Sequence, residues 1–397
     1  MKNNYWIVDE WLIFKPEFNE KLTYYYGVIN KYKKIMFSDY NDPLMAIETN
    51  NQYAVKYYGN YIESEFNRKI DLLNNINLTH LTFEYKFNQE IDLSNNINLT
   101  HLNFDQGDAC DYFNRKINLK NNINLKYLSL NNEFNQDIDL SNNINLTYLF
   151  LGSGNFNQEI NLLNNINLTH LTFGFYFNQE IDLSHNINLI HLNFISCDNF
   201  NQVIDLSNNI NLTNLTFSWS FNQELYLSNN INLTYLSFGE NFNQKIDLSN
   251  NINLTHLTFG KYFDQEINIP LNVKNLNIYG NNQFMIDNLT NGVEIVKINC
   301  DYHKDIFNLN NLPNSIKKLY IYNYTKELNN LPNSIEYLEL FNYKLKIKKI
   351  PKNLKTIKCG RYYKYIDDFK NFKDYKITYN NIITYKNQHY TALISFQ

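Results

Sequence analysis

One pattern dominates this chain and limits what it can fold into. The unit reads F-N-Q-x-I-D-L-S-N-N-I-N-L-T-H-L-T-F plus a short connector, and its lead Phe falls at 66, 87, 113, 134, 156, 177, 200, 221, 242, 263 and 284. Steps are roughly 21 residues, a period that signals stacked repeats rather than independent globular domains. Within one unit the apolar positions are Phe66, Ile70, Leu72, Ile76, Leu78, Leu81 and Phe83. Ile70 and Leu72 alternate with polar residues, as do Leu81 and Phe83, which is the period of extended chain. No sustained i, i+3, i+4, i+7 stripe occurs, so a helical repeat is disfavoured. A unit this short cannot bury seven apolar side chains alone; stacked copies can.

Composition then falls into place. Of 397 residues, 76 are Asn, while Gly (11) and Pro (6) are scarce. Such a polar and aromatic bias occurs in prion-like chains, but here periodicity assigns it to positions. Asn pairs such as Asn74-Asn75 suit turns, because Asn tolerates left-handed backbone. The Asn after each lead Phe (Asn67, Asn88, Asn114) suits a ladder that caps buried peptide groups. Leu81 and Phe83 point inward; His80, Thr82 and Glu84 point outward.

From Pro270 the unit changes. Ile269-Pro270-Leu271-Asn272-Val273, Leu312-Pro313-Asn314-Ser315-Ile316, Leu331-Pro332-Asn333-Ser334-Ile335 and Ile350-Pro351-Lys352-Asn353-Leu354 each precede a strand pattern. Proline there fixes the entering turn without removing a bond from the strand centre. The expected fold is a β-rich solenoid of about 14 units, with a parallel sheet on one face and turns or short extended and 3-10 segments on the other. Residues 1–65 read as degenerate repeats forming an N-terminal cap, with Phe18-Asn19-Glu20-Lys21-Leu22 and Ile35-Met36-Phe37 as echoes. Residues 66–262 are the regular repeats, 263–361 the Pro-containing ones, and 362–397 a C-terminal cap.

The segment Leu78-Thr79-His80-Leu81-Thr82-Phe83 has the L-x-x-L-x-L form of a leucine-rich repeat. F-N-Q-x-I together with L-P-N-S-I-x-x-L-x-L resembles the FNIP-repeat proteins, a leucine-rich-repeat subgroup expanded in giant DNA viruses and social amoebae. The likeness spans roughly Phe66–Gly360. The lead motif here is F-N-Q or F-N-R and lacks the family's Pro. The resemblance implies an interaction module and supplies no catalytic residues. Some relatives carry an N-terminal F-box, but its opening Leu-Pro and amphipathic helices are missing from residues 1–65.

Several features exclude function classes. The net charge of −4 argues against nucleic-acid binding by the whole chain. No apolar stretch reaches about 18 residues, so no membrane span is expected. Cys110, Cys197, Cys300 and Cys359 form no CxxC, and no cofactor fingerprint appears. The N-terminus is a poor signal sequence, broken by Asp9 and Glu10, which favours an intracellular site (the host cytoplasm for a viral protein). The N-L-T sequons are then by-products of the repeat.

A partner surface is expected on the outward face: His80, His101, Tyr127, Tyr148, His170, His191, Tyr235 and His256, then Tyr320, Tyr322 and Tyr337, with Trp219 on a rim loop. Tyr and His give large contact area with a polar tip. A metal role for the His row is disfavoured, since Tyr and Asn share the position. The row Asp71, Asp92, Asp139, Asp182, Asp205 and Asp247 reads as a solvated face. Connectors at 105–112, 174–176, 195–199 and 218–220 vary and lie where recognition loops lie. Lys344, Lys346, Lys348, Lys349, Lys355, Lys358 and Arg361, interleaved with Tyr, form a basic end. The reading is a monomeric, non-enzymatic scaffold for a protein partner. Its alternatives are a substrate receptor of a ubiquitin ligase and an anion or nucleic-acid binder using the basic end.

Overall fold

The fold is that of a computed structural model, which describes residues 4–49, 64–83, 86–104, 112–152, 154–194, 198–280, 282–300, 308–360, 363–365, 369 and 376–379. Strand β1 (Tyr5–Val8) pairs antiparallel with β2 (Trp11–Phe14). From β2 onward each strand lies parallel to the one before: β3 (Lys34–Phe37), β4 (His80–Thr82), β5 (His101–Asn103), β6 (Tyr127–Leu130), β7 (Tyr148–Leu151), β8 (His170–Thr172), β9 (His191–Asn193), β10 (Asn214–Thr216), β11 (Tyr235–Ser237), β12 (His256–Phe259), β13 (Asn275–Tyr279), β14 (Ile295–Asn299), β15 (Lys318–Tyr322), β16 (Tyr337–Phe341), β17 (Thr356–Cys359) and β18 (Lys376–Tyr379). Each coil contributes one strand. Among the described residues helices are few and short: α1 (Tyr26–Ile29), α2 (Pro43–Thr49) and α3 (Gln283–Asp287), with one 3-10 turn at Leu22–Tyr24. The chain is a parallel β-solenoid, as the 21-residue period requires.

Apolar columns fill the interior. The lead Phe rings from Phe66 to Phe263 stack coil on coil at 5.9 to 6.2 Å between centroids. Most also meet the ring that closes the preceding strand, as Phe83 meets Phe87 at 3.8 Å and Phe173 meets Phe177 at 4.1 Å, whereas Phe134 and Phe156 follow Leu130 and Leu151. In the Pro-containing coils Tyr324, Tyr343 and Tyr363 take the lead position and remain buried.

Four sequence expectations are corrected. Phe284 is not a lead Phe: it sits on α3, partly exposed, while Met285 and Ile286 fill the interior. The helix turns the next two side chains inward, which the extended chain of the other coils does not. Ile76 is not a core residue; it and its equivalents stand about half exposed.

The Asn pairs do not use left-handed backbone. Among the described non-glycine residues only Asp9, Asn323 and Asn342 have positive φ. The second Asn of each pair is instead buried, and its Nδ2 donates to two carbonyls of the coil before: Asn96 to Leu72 O (3.0 Å) and Asn75 O (2.8 Å). A carboxamide supplies two N–H groups on a short arm, so it satisfies backbone that the tight turn would strand. The Asn after each lead Phe does build a ladder, with Asn67 Oδ1 accepting the Asn88 N–H (3.1 Å), but at a solvent-facing position rather than a buried one.

Candidate outward face of the sheet

The sheet register lines side chains into columns. The first outward column runs Lys34, His80, His101, Tyr127, Tyr148, His170, His191, Asn214, Tyr235, His256, because each residue is the register partner of the next. Its rings stack in pairs: His80 on His101 at 4.1 Å, Tyr127 on Tyr148 at 4.5 Å, His170 on His191 at 4.4 Å. Between pairs the spacing widens to 5.8–5.9 Å, and Asn214 interrupts the column before Tyr235. The sheet's pitch alone brings these rings together.

A second ladder fixes how the imidazoles are turned. Thr79, Thr100, Thr169 and Thr255 each donate a hydroxyl proton to a carbonyl of the preceding coil, as Thr169 does to Thr147 O (2.9 Å). With its proton so used, the hydroxyl oxygen accepts from Nδ1–H of the adjoining His80, His101, His170 or His256 at 2.8–2.9 Å. The neutral tautomer is therefore Nδ1–H, leaving Nε2 as an acceptor. At His256 that Nε2 faces the Asn275 amide.

Burial keeps the rings neutral. It lowers His80 to about 3, helped by His101 and Lys34, and His170 to about 4, helped by His191. His101, His191 and His256 are lowered as well, again chiefly by burial.

The face is not uniformly open. At its N-terminal end Trp11, Ile13, Met36, Tyr40 and Ala46 form a separate buried cluster beneath α2, and the Trp11 ring meets His80 edge-on at 5.7 Å. Thr82, Asn103, Ser129 and Tyr127 are buried too. From β7 onward the outward residues are half-buried to exposed. Sequence reasoning missed the cover, although the uninterrupted apolar run of Trp11–Phe14, buried on both faces, carries its signature.

A second group forms on β14–β17. Tyr320 and Tyr337 lie 5.1 Å apart, and the Glu339 carboxylate accepts from the Tyr322 hydroxyl (3.3 Å) and the Tyr337 hydroxyl (2.6 Å). Lys297 Nζ stands 5.4 Å over the Tyr320 ring and Lys358 Nζ 5.6 Å over the Tyr337 ring. Burial first, then Glu339, raises the Tyr322 and Tyr337 hydroxyls well above the usual range, so both stay donors.

Other candidate residues fall elsewhere. Trp219 lies on a connector, just over a third exposed. The basic residues are distributed: Lys358 is on the sheet face, Lys355 pairs with Glu336 (2.7 Å) where the chain enters β17, and Lys348 pairs with Glu327 (2.6 Å) on the lead-residue side of the coil. Lys349 reaches Asn330 Oδ1 at 3.4 Å, and Lys344 and Lys346 share that stretch. Arg361, the connectors 105–111 and 195–197, Cys110, Cys197 and most of 362–397 lie outside the described residues. Among the described residues no cluster of three or more His, Cys, Asp or Glu could hold a metal, and no helix is long and apolar enough to cross a membrane.

With this geometry in place, the comparisons agree on the fold. Residues 303–340 match the FNIP Repeat family. No curated protein matches the chain. Among solved structures it is similar to CroV588, a circular leucine-rich-repeat protein of a giant virus, at 26% identity and a TM-score of 0.54, covering 94% of this chain and 52% of that one. It thus spans about half the length of that protein. It is also similar to the functional domain of InlJ from Listeria monocytogenes, at 22% identity and a TM-score of 0.54, covering 76% of this chain and 68% of that one. The chain has a leucine-rich-repeat fold and carries an FNIP repeat.

Proposed function

We propose that this leucine-rich-repeat solenoid is a non-catalytic scaffold that binds a protein partner on the outward face of its sheet. One observation carries the reading: the ring column is ordered before any partner arrives. Register sets the spacing of the rings, the Thr ladder orients four of the five imidazoles (His191 follows Ile190), and burial keeps them uncharged. A preformed surface of this kind loses little conformational entropy on binding. Half-buried His170 offers a neutral Nε2 acceptor, and the Tyr rings an apolar body with a polar tip, as suits the centre of a protein interface. The open stretch runs from Tyr148 to His256, with Tyr320, Tyr322 and Tyr337 as a second anchor group.

The test is affinity capture from a host-cell lysate by the intact chain, set beside a variant with Tyr148, His170, His191, Tyr235 and His256 changed to Ser. Loss of a specific captured protein, with the circular-dichroism spectrum kept, is the expected result. Capture that is unchanged in the variant rejects this face as the binding site.

A further inference from the structure

The isoleucine of N-N-I-N-L is the one apolar repeat position that the coil leaves outside. From Ile76 to Ile252 it recurs once in each of nine successive coils, 48 to 61% exposed. Successive coils are about 4.8 Å apart, so the row is a ridge roughly 38 Å long. Its backbone is held in place: Asn98 Nδ2 donates to Ile76 O (2.9 Å), and Asn188 Nδ2 to Ile166 O (2.9 Å), a bond repeated down the ridge. Alongside it, from Lys126 to Asn253, runs a groove of about 920 Å³ lined by an Asn row (Asn145, Asn167) and a Thr row (Thr147, Thr169).

Charge is nearly absent here. In these nine coils the stretch from the Asn pair to the residue before the strand (74–79 in the first coil, 250–255 in the last) contains one formally charged residue, Lys126. The chain as a whole is 19% charged, so the 36 or so outward positions would carry about seven charges if this edge were an ordinary solvated surface. A partner chosen by charge is excluded by that neutrality. A ridge and a groove of equal period, side by side on one neutral edge, fit another copy of themselves.

We infer that this edge pairs with a second copy of the chain about a two-fold axis running along the stack. Rotation about that axis exchanges the lateral positions of ridge and groove. Each isoleucine ridge then lies in the other copy's Asn/Thr groove, with the coils parallel and in register. The area is adequate: a strip of about 38 Å by about 14 Å on each copy buries on the order of 1,000 Å² in total, the lower bound for a specific interface. The Thr row of the groove borders the outward face of the sheet, with Thr169 bonded to His170, while the isoleucine ridge lies away from the ring column.

Light scattering coupled to size exclusion, over a hundredfold range of concentration, tests the pairing on the full chain. The expected result is a mass near twice 47.5 kDa, falling to one copy when Ile166, Ile187 and Ile210 are changed to Lys, with the melting temperature kept. A single Ile231→Cys substitution, treated with a short bismaleimide, should yield covalent dimers beyond those of the unsubstituted chain. A monomer across the whole range, or a dimer indifferent to the three lysines, overturns the inference. Failure of the cysteine variant to cross-link overturns the in-register arrangement.

Discussion

Asn186 shows how much rests on one side chain. It is fully buried, and its Nδ2 donates to Leu162 O (3.0 Å) and Asn165 O (2.9 Å). Asn186→Ala removes two interior hydrogen bonds and should cost about 1–3 kcal/mol in urea unfolding. Asn188→Ala, which removes one exposed ladder bond, should cost about 0.5 kcal/mol. Asn186→Asp keeps the shape but puts a carboxylate opposite two carbonyls; it should be worse than Ala at pH 7 and should recover partly as pH falls and the acid protonates.

The histidine column makes a second prediction at this scale. Folded values of about 3 for His80 and about 4 for His170 lie below the ordinary 6.5, so the unfolded chain takes up protons first as pH falls. Stability is whole above pH 6.5 and declines from there toward pH 3, by about 1–2 kcal/mol per deeply set ring at pH 4.5 after solvent screening. Asp92, Asp139 and Asp182 are held low chiefly by the hydroxyl of the Ser two residues on, and Asp205 and Asp247 chiefly by its backbone N–H. Their contribution is present above pH 3.8 and is lost as pH falls through the lower folded values. Changing His80 and His101 to Asn should flatten urea stability between pH 6.5 and 4.5; an unaltered slope would assign the acid loss elsewhere.

At the scale of the element, the two coil types solve one problem differently. The regular coil has strands of three or four residues, and four of its entering positions before the strand carry a Thr whose hydroxyl bonds the coil before it and steadies a His. The Pro-containing coil has five-residue strands in β13–β16, and Lys274, Glu294, Lys317, Glu336 and Lys355 stand at the entering position instead. There Lys317 and Lys274 both reach Glu294, at 2.9 and 3.7 Å. The longer strands β15 and β16 end at Asn323 (φ 61°) and Asn342 (φ 57°), which is where the left-handed Asn is found. Asn342→Gly should be close to neutral, while Asn342→Val should lose about 1–2 kcal/mol or more, since β-branching opposes that backbone. In the same way Phe177→Ala empties a filled slot and should cost about 3–5 kcal/mol, whereas Phe284→Ala, on the partly exposed side of α3, should cost well under half of that. Equal losses from the two would contradict the placement of α3.

On the scale of the whole molecule, stability is carried between neighbouring coils. Phe177 and Phe200 are ring partners at 6.0 Å; Phe177 and Phe242 are three such 6.0 Å steps apart, with Phe200 and Phe221 between them. Alanine replacements at the first pair should couple by about 0.5–3 kcal/mol, and those at the second should add within about 0.5 kcal/mol. Coupling of similar size at both pairs would mean that stress travels along the stack.

The sequence by itself determined the coil: its length, the parallel strand at Leu81 and Phe83, the Phe columns, and the outward His and Tyr positions. These are periodic, and a period is visible in one dimension. Only the tertiary structure decided which polar residues go inside and which apolar ones stay out. Asn96 is buried because the preceding coil presents two carbonyls to it, and Ile97 beside it is exposed because the turn points it away; both facts belong to the stack and not to the string. The cover over the first rings was likewise decided by α2 folding back on Trp11 and Met36, a contact between segments that no repeat position encodes.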